Sequence, residues 1–149
     1  MKEYIVVLMP LVLIILLMIA TIFDVKDKTV PLWITYIGVS LKGLELIFLE
    51  PNGIKYHLLM GFILFAVLFT NVLLGGLGGA DSLIGAMCGI YLGIYGIYAI
   101  MIAFILSMPY AAYIKYHKKD KEYPFIPYVL LAVSMVLMYG LAHGGKLYY

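Results

Sequence analysis

The chain has 149 residues, of which 65% are hydrophobic and only 12% are charged, and its mean hydropathy is +1.07. At roughly 20 residues per spanning helix, this composition predicts an all-α polytopic membrane protein with about six transmembrane helices and one transmembrane domain over residues 1–149. The net charge of +2 comes from lysines in short loops, which gives no indication of nucleic acid binding. A lone cysteine, Cys88, excludes an intrachain disulfide, and three histidines without ligand spacing give no support to a metal site. We expect no cofactor.

The first half of the chain predicts three spans in the lipid bilayer. They cover Tyr4 to Phe23, Pro31 to about Leu49, and Leu58 to Leu74 after a turn-forming Pro-Asn-Gly sequence. The second span contains Lys42 and Glu45, which are three residues apart and can pair on one helix face. We interpret them as a surface-seeking or structural pair.

The second half contains 33 consecutive residues, from Ser82 to Ile114, without a formal charge. One continuous helix of that length would measure about 50 Å, whereas the bilayer core is roughly 30 Å thick. We therefore expect a break at Gly93 to Gly96, which makes a short fourth span and a fifth that reaches Ile114. The sixth span is predicted from Phe125 to about Leu141.

Lysine placement predicts the orientation of a multi-pass plasma membrane protein. The segment Lys115 to Lys121 holds four lysines and should face the cytoplasm. With the break at Gly93 to Gly96, the loop that contains Lys26 and Lys28 falls on the same side, and the N-terminus lies outside.

The most informative residues are Asp24, at the end of the first span, and Asp81, which closes a glycine-rich run before the fourth. Carboxylates are costly to keep near a membrane, and two complete spans separate these two, so both should lie at the same membrane face. Asp81, Gly85, Gly89 and Gly93 recur every four residues, a small-residue pattern that lets another helix approach closely. Asp81 should therefore point toward packed protein.

Two carboxylates in a low-dielectric recess share one proton and titrate as a unit. The ionised member can deprotonate a water molecule while the protonated member donates to a carbonyl oxygen, which is the chemistry of an aspartyl protease. Other interpretations remain open: Asp24 as an ordinary interfacial residue, and Asp81 as a helix N-cap. The chain could also be a small ion- or proton-coupled transporter that uses both aspartates, or a scaffold that assembles through its glycine face.

Three patches of the chain resemble the type IV prepilin peptidase family, which includes the archaeal preflagellin peptidases. The first patch is Asp24 followed by six residues and Pro31, which resembles the family's first aspartate signature. The second resembles the family's GxGD box and reads Gly78-Gly79-Ala80-Asp81. The third resembles the start of the family's last span and reads Tyr123-Pro124-Phe125-Ile126-Pro127-Tyr128. The patches occur in family order. The GGAD form and the small size resemble archaeal-type members.

The resemblance implies an intramembrane aspartyl endopeptidase that cleaves the class III leader peptides of prepilin-like or preflagellin-like precursors at the cytoplasmic membrane face. It assigns Asp24 and Asp81 as the catalytic pair, with Gly78, Gly79 and Ala80 as the active-site turn and no cofactor. Asp27 is the nearest rival for the first aspartate, but its spacing to Pro31 does not fit the pattern.

Two departures from the family pattern limit what can be transferred to this chain. Members often carry a lysine two residues after the second aspartate, where this chain has Leu83. The bifunctional bacterial type has a cysteine-bearing loop for methyl transfer, which is absent here, so we expect no methyltransferase activity.

Overall fold

The computed structural model describes residues 2–117 and 123–143, with side chains from residue 8 onward. This part of the chain forms six α-helices and contains no strand: α1 (Lys2–Asp27), α2 (Leu32–Leu49), α3 (Ile54–Leu73), α4 (Gly79–Leu92), α5 (Ile94–His117) and α6 (Ile126–Ala142). Among the described residues, α1, α2, α3 and α5 are long and apolar enough to cross a membrane, whereas α4 and α6 are shorter apolar helices. The prediction of an all-α polytopic membrane protein with about six helices is thus confirmed. Residues 118–121 of the predicted basic segment lie outside the described residues.

Helix α1 continues one turn beyond the predicted end at Phe23. No glycine or proline interrupts residues 24–27, so nothing in this segment stops the helix. It ends where Lys28 takes the left-handed conformation, with φ of 53°, which is more often adopted by glycine after a helix. Asp24 therefore lies within the last turn of α1 and not in the loop that follows it.

The predicted break between the fourth and fifth spans is confirmed at Gly93. This residue has φ of +57°, which ends α4, and its N–H donates to the carbonyl of Gly89. Two side chains from the first turn of α3 form hydrogen bonds to the junction between α4 and α5. The Tyr56 hydroxyl accepts the N–H of Ile94 at 2.9 Å, and His57 Nδ1 donates to the carbonyl of Ile90 at 2.8 Å. Both contacts satisfy backbone groups that a helix end leaves without partners.

Helix α4 is the centre of the bundle. It packs most extensively against α3 and also touches α1, α2 and α5, while α6 packs against α1 and α5. The approach to α3 depends on facing glycines, because a Cβ atom on Gly89 would lie 2.8 Å from the Cα of Gly61. This geometry confirms that the small-residue face of α4 admits a neighbouring helix.

The pair Lys42–Glu45 forms an ion pair inside the bundle. Both residues are buried, so the pair is structural and the surface-seeking alternative is wrong. Tyr91 of α4 completes the cluster, since its ring lies 5.9 Å from Lys42 Nζ and its hydroxyl donates to the carbonyl of Gly38 at 2.8 Å. These contacts connect α2 to α4 through polar groups that have internal partners.

Candidate active site

Asp24 is buried between α1 and the start of α6, with 7% of its surface exposed. Its Oδ2 accepts the N–H of Ile126 at 3.0 Å, a contact across 102 residues of sequence. Ile126 is the first residue of α6, and the next residue, Pro127, has no N–H to satisfy. The carboxylate of Asp24 thus caps α6 in the way that an N-cap side chain would, but from another helix.

Asp81 is buried at the third position of α4, with 8% of its surface exposed. Its Oδ2 accepts the N–H of Gly78 at 3.0 Å, and its own N–H donates to the carbonyl of Gly78 at 3.1 Å. The N-cap is therefore Gly78, so the alternative that Asp81 is the N-cap residue is wrong. The contact is one half of a capping box, because Gly78 has no side chain to complete it. The helix dipole of α4 also favours a negative charge at this position.

The predicted active-site turn is short. Gly78 has extended backbone angles, with φ of −77° and ψ of 151°, and Gly79 and Ala80 are the first two residues of α4. In the glycine-rich run that begins at residue 75, only Gly75 has a left-handed φ, at +77°. The left-handed backbone is therefore confined to Gly75, four residues before the helix, within a non-helical stretch that covers residues 74–78.

The two aspartates lie at the same end of the bundle, as the number of intervening spans predicts, and the residues that lead into α6 lie near both. Ile126 donates to Asp24, and three residues earlier Tyr123 lies close enough to Asp81 for the charge of that carboxylate to affect its pKa. Burial raises the pKa of Tyr123, and the negative charge of Asp81 raises this pKa further. Tyr123 is therefore a neutral hydroxyl at physiological pH.

Asp27, the rival for the first aspartate, is exposed at the last position of α1. It lies three residues beyond Asp24, which is buried. Burial strengthens electrostatic effects on a carboxylate, so Asp24 is better suited than Asp27 to share a proton.

Sequence reasoning missed three groups at this end of the bundle. One is the N–H of Ile126, which becomes visible only when α6 packs on α1. Another is Ser107, a buried residue and the only serine or threonine in α5. The third is the hydroxyl of Thr21, which is buried without a hydrogen-bond partner among the described residues and lies one helical turn before Asp24. For Ser107 and Thr21, the available signal in the sequence was an isolated hydroxyl residue within an apolar helix.

This end of the bundle offers carboxylates, hydroxyl groups and backbone N–H donors. Among residues 2–117 and 123–143, no group of three or more histidine, cysteine, aspartate or glutamate residues lies close enough together to hold a metal ion. The chemistry that the described side chains can supply directly is proton transfer between carboxylates and a water molecule.

Comparison with known proteins gives a specific match to one family. The model of the type IV leader peptidase family matches residues 11–114, which is more than half of the chain and includes both aspartates. No curated protein and no solved structure gives a significant match. The resemblance seen in the sequence is thereby confirmed at the level of the family. The chain belongs to the type IV leader peptidase family.

Proposed function

We propose that this peptidase is an aspartyl endopeptidase that removes class III leader peptides from prepilin-like or preflagellin-like precursors. The observation that carries the proposal is the burial of Asp24 and Asp81 at one end of the bundle, where Asp24 accepts the first N–H of α6. The family supports a peptidase acting on a precursor protein in a membrane context, and it does not favour the transporter alternative.

In the proposed reaction, the two carboxylates hold one proton between them. The ionised carboxylate accepts a proton from a water molecule, whose oxygen attacks the scissile carbonyl carbon. The protonated carboxylate donates to the carbonyl oxygen and stabilises the tetrahedral intermediate, which then breaks the C–N bond as the amine leaves with a proton. Burial favours one ionised and one protonated carboxyl group, because two neighbouring carboxyl groups in a recess do not both ionise easily.

We further propose that cleavage takes place at the cytoplasmic face. Lys26 lies in the last turn of α1 and Lys115 in the last turn of α5, at the same end of the bundle as Asp24. Basic residues favour the cytoplasmic side of a membrane protein. A precursor whose hydrophobic helix lies in the bilayer would then present the residues before that helix to the aspartates.

Methyl transfer to the new N-terminus is not part of the proposal. The described cysteine, Cys88, is fully buried in α4, where a substrate amine cannot reach it. We expect the product to carry an unmodified N-terminus.

The test is cleavage of a prepilin-like or preflagellin-like precursor in membranes that contain matched amounts of each protein. We expect the wild type to cleave, Asp24→Asn and Asp81→Asn to lose cleavage by at least about a thousandfold, and Asp27→Asn to retain it. Asp27→Asn is the matched control, since it removes an equal charge from the same helix turn. Undiminished cleavage by a folded Asp24→Asn or Asp81→Asn protein would contradict the proposed pair.

A further inference from the structure

The hydroxyl of Thr21 differs from the other helical hydroxyl groups of the chain. Its Oγ1 is buried and has no hydrogen-bond partner among the described residues. Several serine and threonine hydroxyls elsewhere in the described helices donate to a carbonyl three or four residues earlier, at 2.7–3.0 Å: Thr70 to Ala66, Ser82 to Gly79, Ser107 to Phe104 and Ser134 to Leu130. That bond is the usual solution for a hydroxyl in an apolar helix. A buried polar group without a partner costs free energy, so the presence of Thr21 needs an explanation.

Thr21 lies on the buried face of α1, one turn before Asp24. Leu17 on this face is fully buried, and residues three or four apart on a helix are neighbours. Because α1 ends where α6 begins, the two helices are antiparallel, and Thr21 is level with the first turn of α6. The buried residues of that turn, Ile126 and Val129, are apolar and offer no side-chain partner.

The part of the protein that covers Asp24 also covers Thr21. Only 7% of Asp24 is exposed, so any substrate must displace what lies over it. The start of α6 is part of that cover, since the N–H of Ile126 is bonded to the carboxylate. A movement of this turn away from α1 uncovers both residues, because they lie on one face of α1. The hydroxyl then faces the substrate segment that is bound at Asp24.

Thr21 lies deeper in the membrane than Asp24. Three residues of helix correspond to about 4.5 Å along the axis, and α1 runs toward the end of the bundle that holds the aspartates. In the proposed function, the cut lies just before the precursor's hydrophobic helix, so the first turn of that helix lies on the deeper side of the cut. The first four N–H groups of a helix have no partner within it, and a bilayer core has no water to bond them. A hydroxyl at this depth can accept one of them.

We propose that Thr21 is a substrate-binding residue, whose hydroxyl oxygen accepts a hydrogen bond from a backbone N–H in the first turn of the precursor's hydrophobic helix. This inference rests on the proposed function and adds to it a contact that determines which peptide bond reaches Asp24. The bond forms only in the complex, and the free protein carries the unpaired hydroxyl.

The first test needs no substrate. Thr21→Val replaces the hydroxyl with a methyl group of similar size and removes an unpaired buried polar group. We therefore expect a melting temperature in micelles at least about 2 °C above that of the wild type. Thr70→Val is the matched control, because the Thr70 hydroxyl is exposed and donates to the carbonyl of Ala66, and it should not raise the melting temperature. An unchanged or lower melting temperature in Thr21→Val would show that the hydroxyl has a partner in the free protein, which would overturn the proposal.

The second test measures precursor cleavage by the same variants at matched concentrations. We expect Thr21→Val to lower kcat/KM by roughly ten- to a hundredfold, because the substrate N–H is left buried without an acceptor. Thr21→Ser keeps the hydroxyl and should recover most of the activity, and Thr70→Val should cleave like the wild type. A more stable but less active Thr21→Val protein is a result that general damage to the fold does not give.

The third test removes the donor from the substrate. In synthetic precursors, an ester replaces the peptide bond at the second, third or fourth residue after the cut, which removes one N–H at a time. One of these esters should lower kcat/KM of the wild type by about tenfold and have little further effect in Thr21→Val, whose acceptor is already absent. Equal losses in both proteins at every position would contradict the contact.

The outcomes separate this inference from the proposed function. A wild-type protein that cleaves no precursor would reject the proposed function and the substrate contact together. Cleavage by the wild type with an unchanged kcat/KM in Thr21→Val would overturn the contact alone and leave the peptidase activity in place.

Discussion

At the scale of single residues, the fold depends on positions where no side chain fits. Gly89 faces the backbone of α3, and an added Cβ would lie 2.7 Å from the carbonyl oxygen of Met60 and 2.8 Å from the Cα of Gly61. Backbone atoms cannot move aside as a flexible side chain can. Gly43, by contrast, lies in α2 with nothing within 4 Å of the position of a Cβ.

We expect Gly89→Ala to destabilise the protein by about 1–3 kcal/mol, because α3 and α4 must separate to admit the methyl group. Gly43→Ala should be neutral or stabilising by up to about 1 kcal/mol, since alanine is the better helix former. Thermal unfolding of both variants in the same detergent measures the difference. Equal melting temperatures for the two variants would show that the glycine contact between α3 and α4 is not close.

The buried ion pair gives a second prediction at this scale. Glu45→Gln leaves the Lys42 ammonium buried without its carboxylate, which we expect to cost about 3–5 kcal/mol. Replacing both residues, Lys42→Met with Glu45→Leu, removes both charges and should restore most of the stability. Unfolding of the single and double variants in micelles tests this. A double variant that is less stable than Glu45→Gln would mean that the pair itself, and not the stranded charge, determines stability.

At the scale of helices, Gly93 at the junction between α4 and α5 packs against Tyr56 of α3. Gly93 and Gly75 both have positive φ angles, but only Gly93 faces another group, because a Cβ there would lie 2.6 Å from the Tyr56 ring. Gly75 has nothing within 4 Å. Alanine should therefore cost more at Gly93 than at Gly75, because it meets the Tyr56 ring and because ψ of −131° at Gly93 lies outside the left-handed helical region.

We expect Gly75→Ala to cost about 1–2 kcal/mol from the left-handed backbone alone, and Gly93→Ala to cost more, because Tyr56 must move and release the N–H of Ile94. Tyr56→Phe separates the two contributions, since it removes the hydrogen bond and keeps the ring. Hydrogen exchange at the Ile94 amide should increase in Gly93→Ala and Tyr56→Phe but not in Gly75→Ala. Unchanged protection in Tyr56→Phe would show that the hydroxyl does not hold the junction.

The helices differ in how well the sequence predicts them, and the reason is physical. The break at Gly93 follows from a length argument, because 33 uncharged residues exceed one bilayer crossing. The end of α1 was predicted one turn too early, since hydropathy falls at Asp24 although nothing there stops the helix. The bond from Ile126 to Asp24 joins residues 102 positions apart, so it depends on how α1 and α6 pack and has no local signal.

At the scale of the whole molecule, α1 and α5 finish at the same end of the bundle, and the turn before α3 lies at the opposite end. This arrangement predicts which residues label from which side of the membrane. Thr29 and Lys115 lie at the end that holds the aspartates, and Asn52 lies in the turn between α2 and α3; all three are exposed. Cys88 is fully buried, so the unmodified chain should give little background.

We expect cysteines introduced at Thr29 and Lys115 to react with a membrane-impermeant thiol reagent only from the cytoplasmic side, and a cysteine at Asn52 only from outside. The physical reason is that the lysines near the first two positions favour the cytoplasm. Labelling of right-side-out and inverted vesicles makes the measurement. Reaction of Thr29→Cys and Lys115→Cys from opposite sides would reject the placement of the ends of α1 and α5 at the same face of the membrane.

The most direct test of the proposed peptidase activity is to react the purified chain with a purified precursor in micelles and to measure the mass of each product by mass spectrometry. We predict one cut next to the precursor's hydrophobic segment by the wild-type chain alone, an unmethylated product, and intact precursor with Asp81→Asn at the same protein concentration. Intact precursor with a folded wild-type chain, or an equal cut by the Asp81→Asn protein, would contradict the proposal that Asp24 and Asp81 carry out proteolysis.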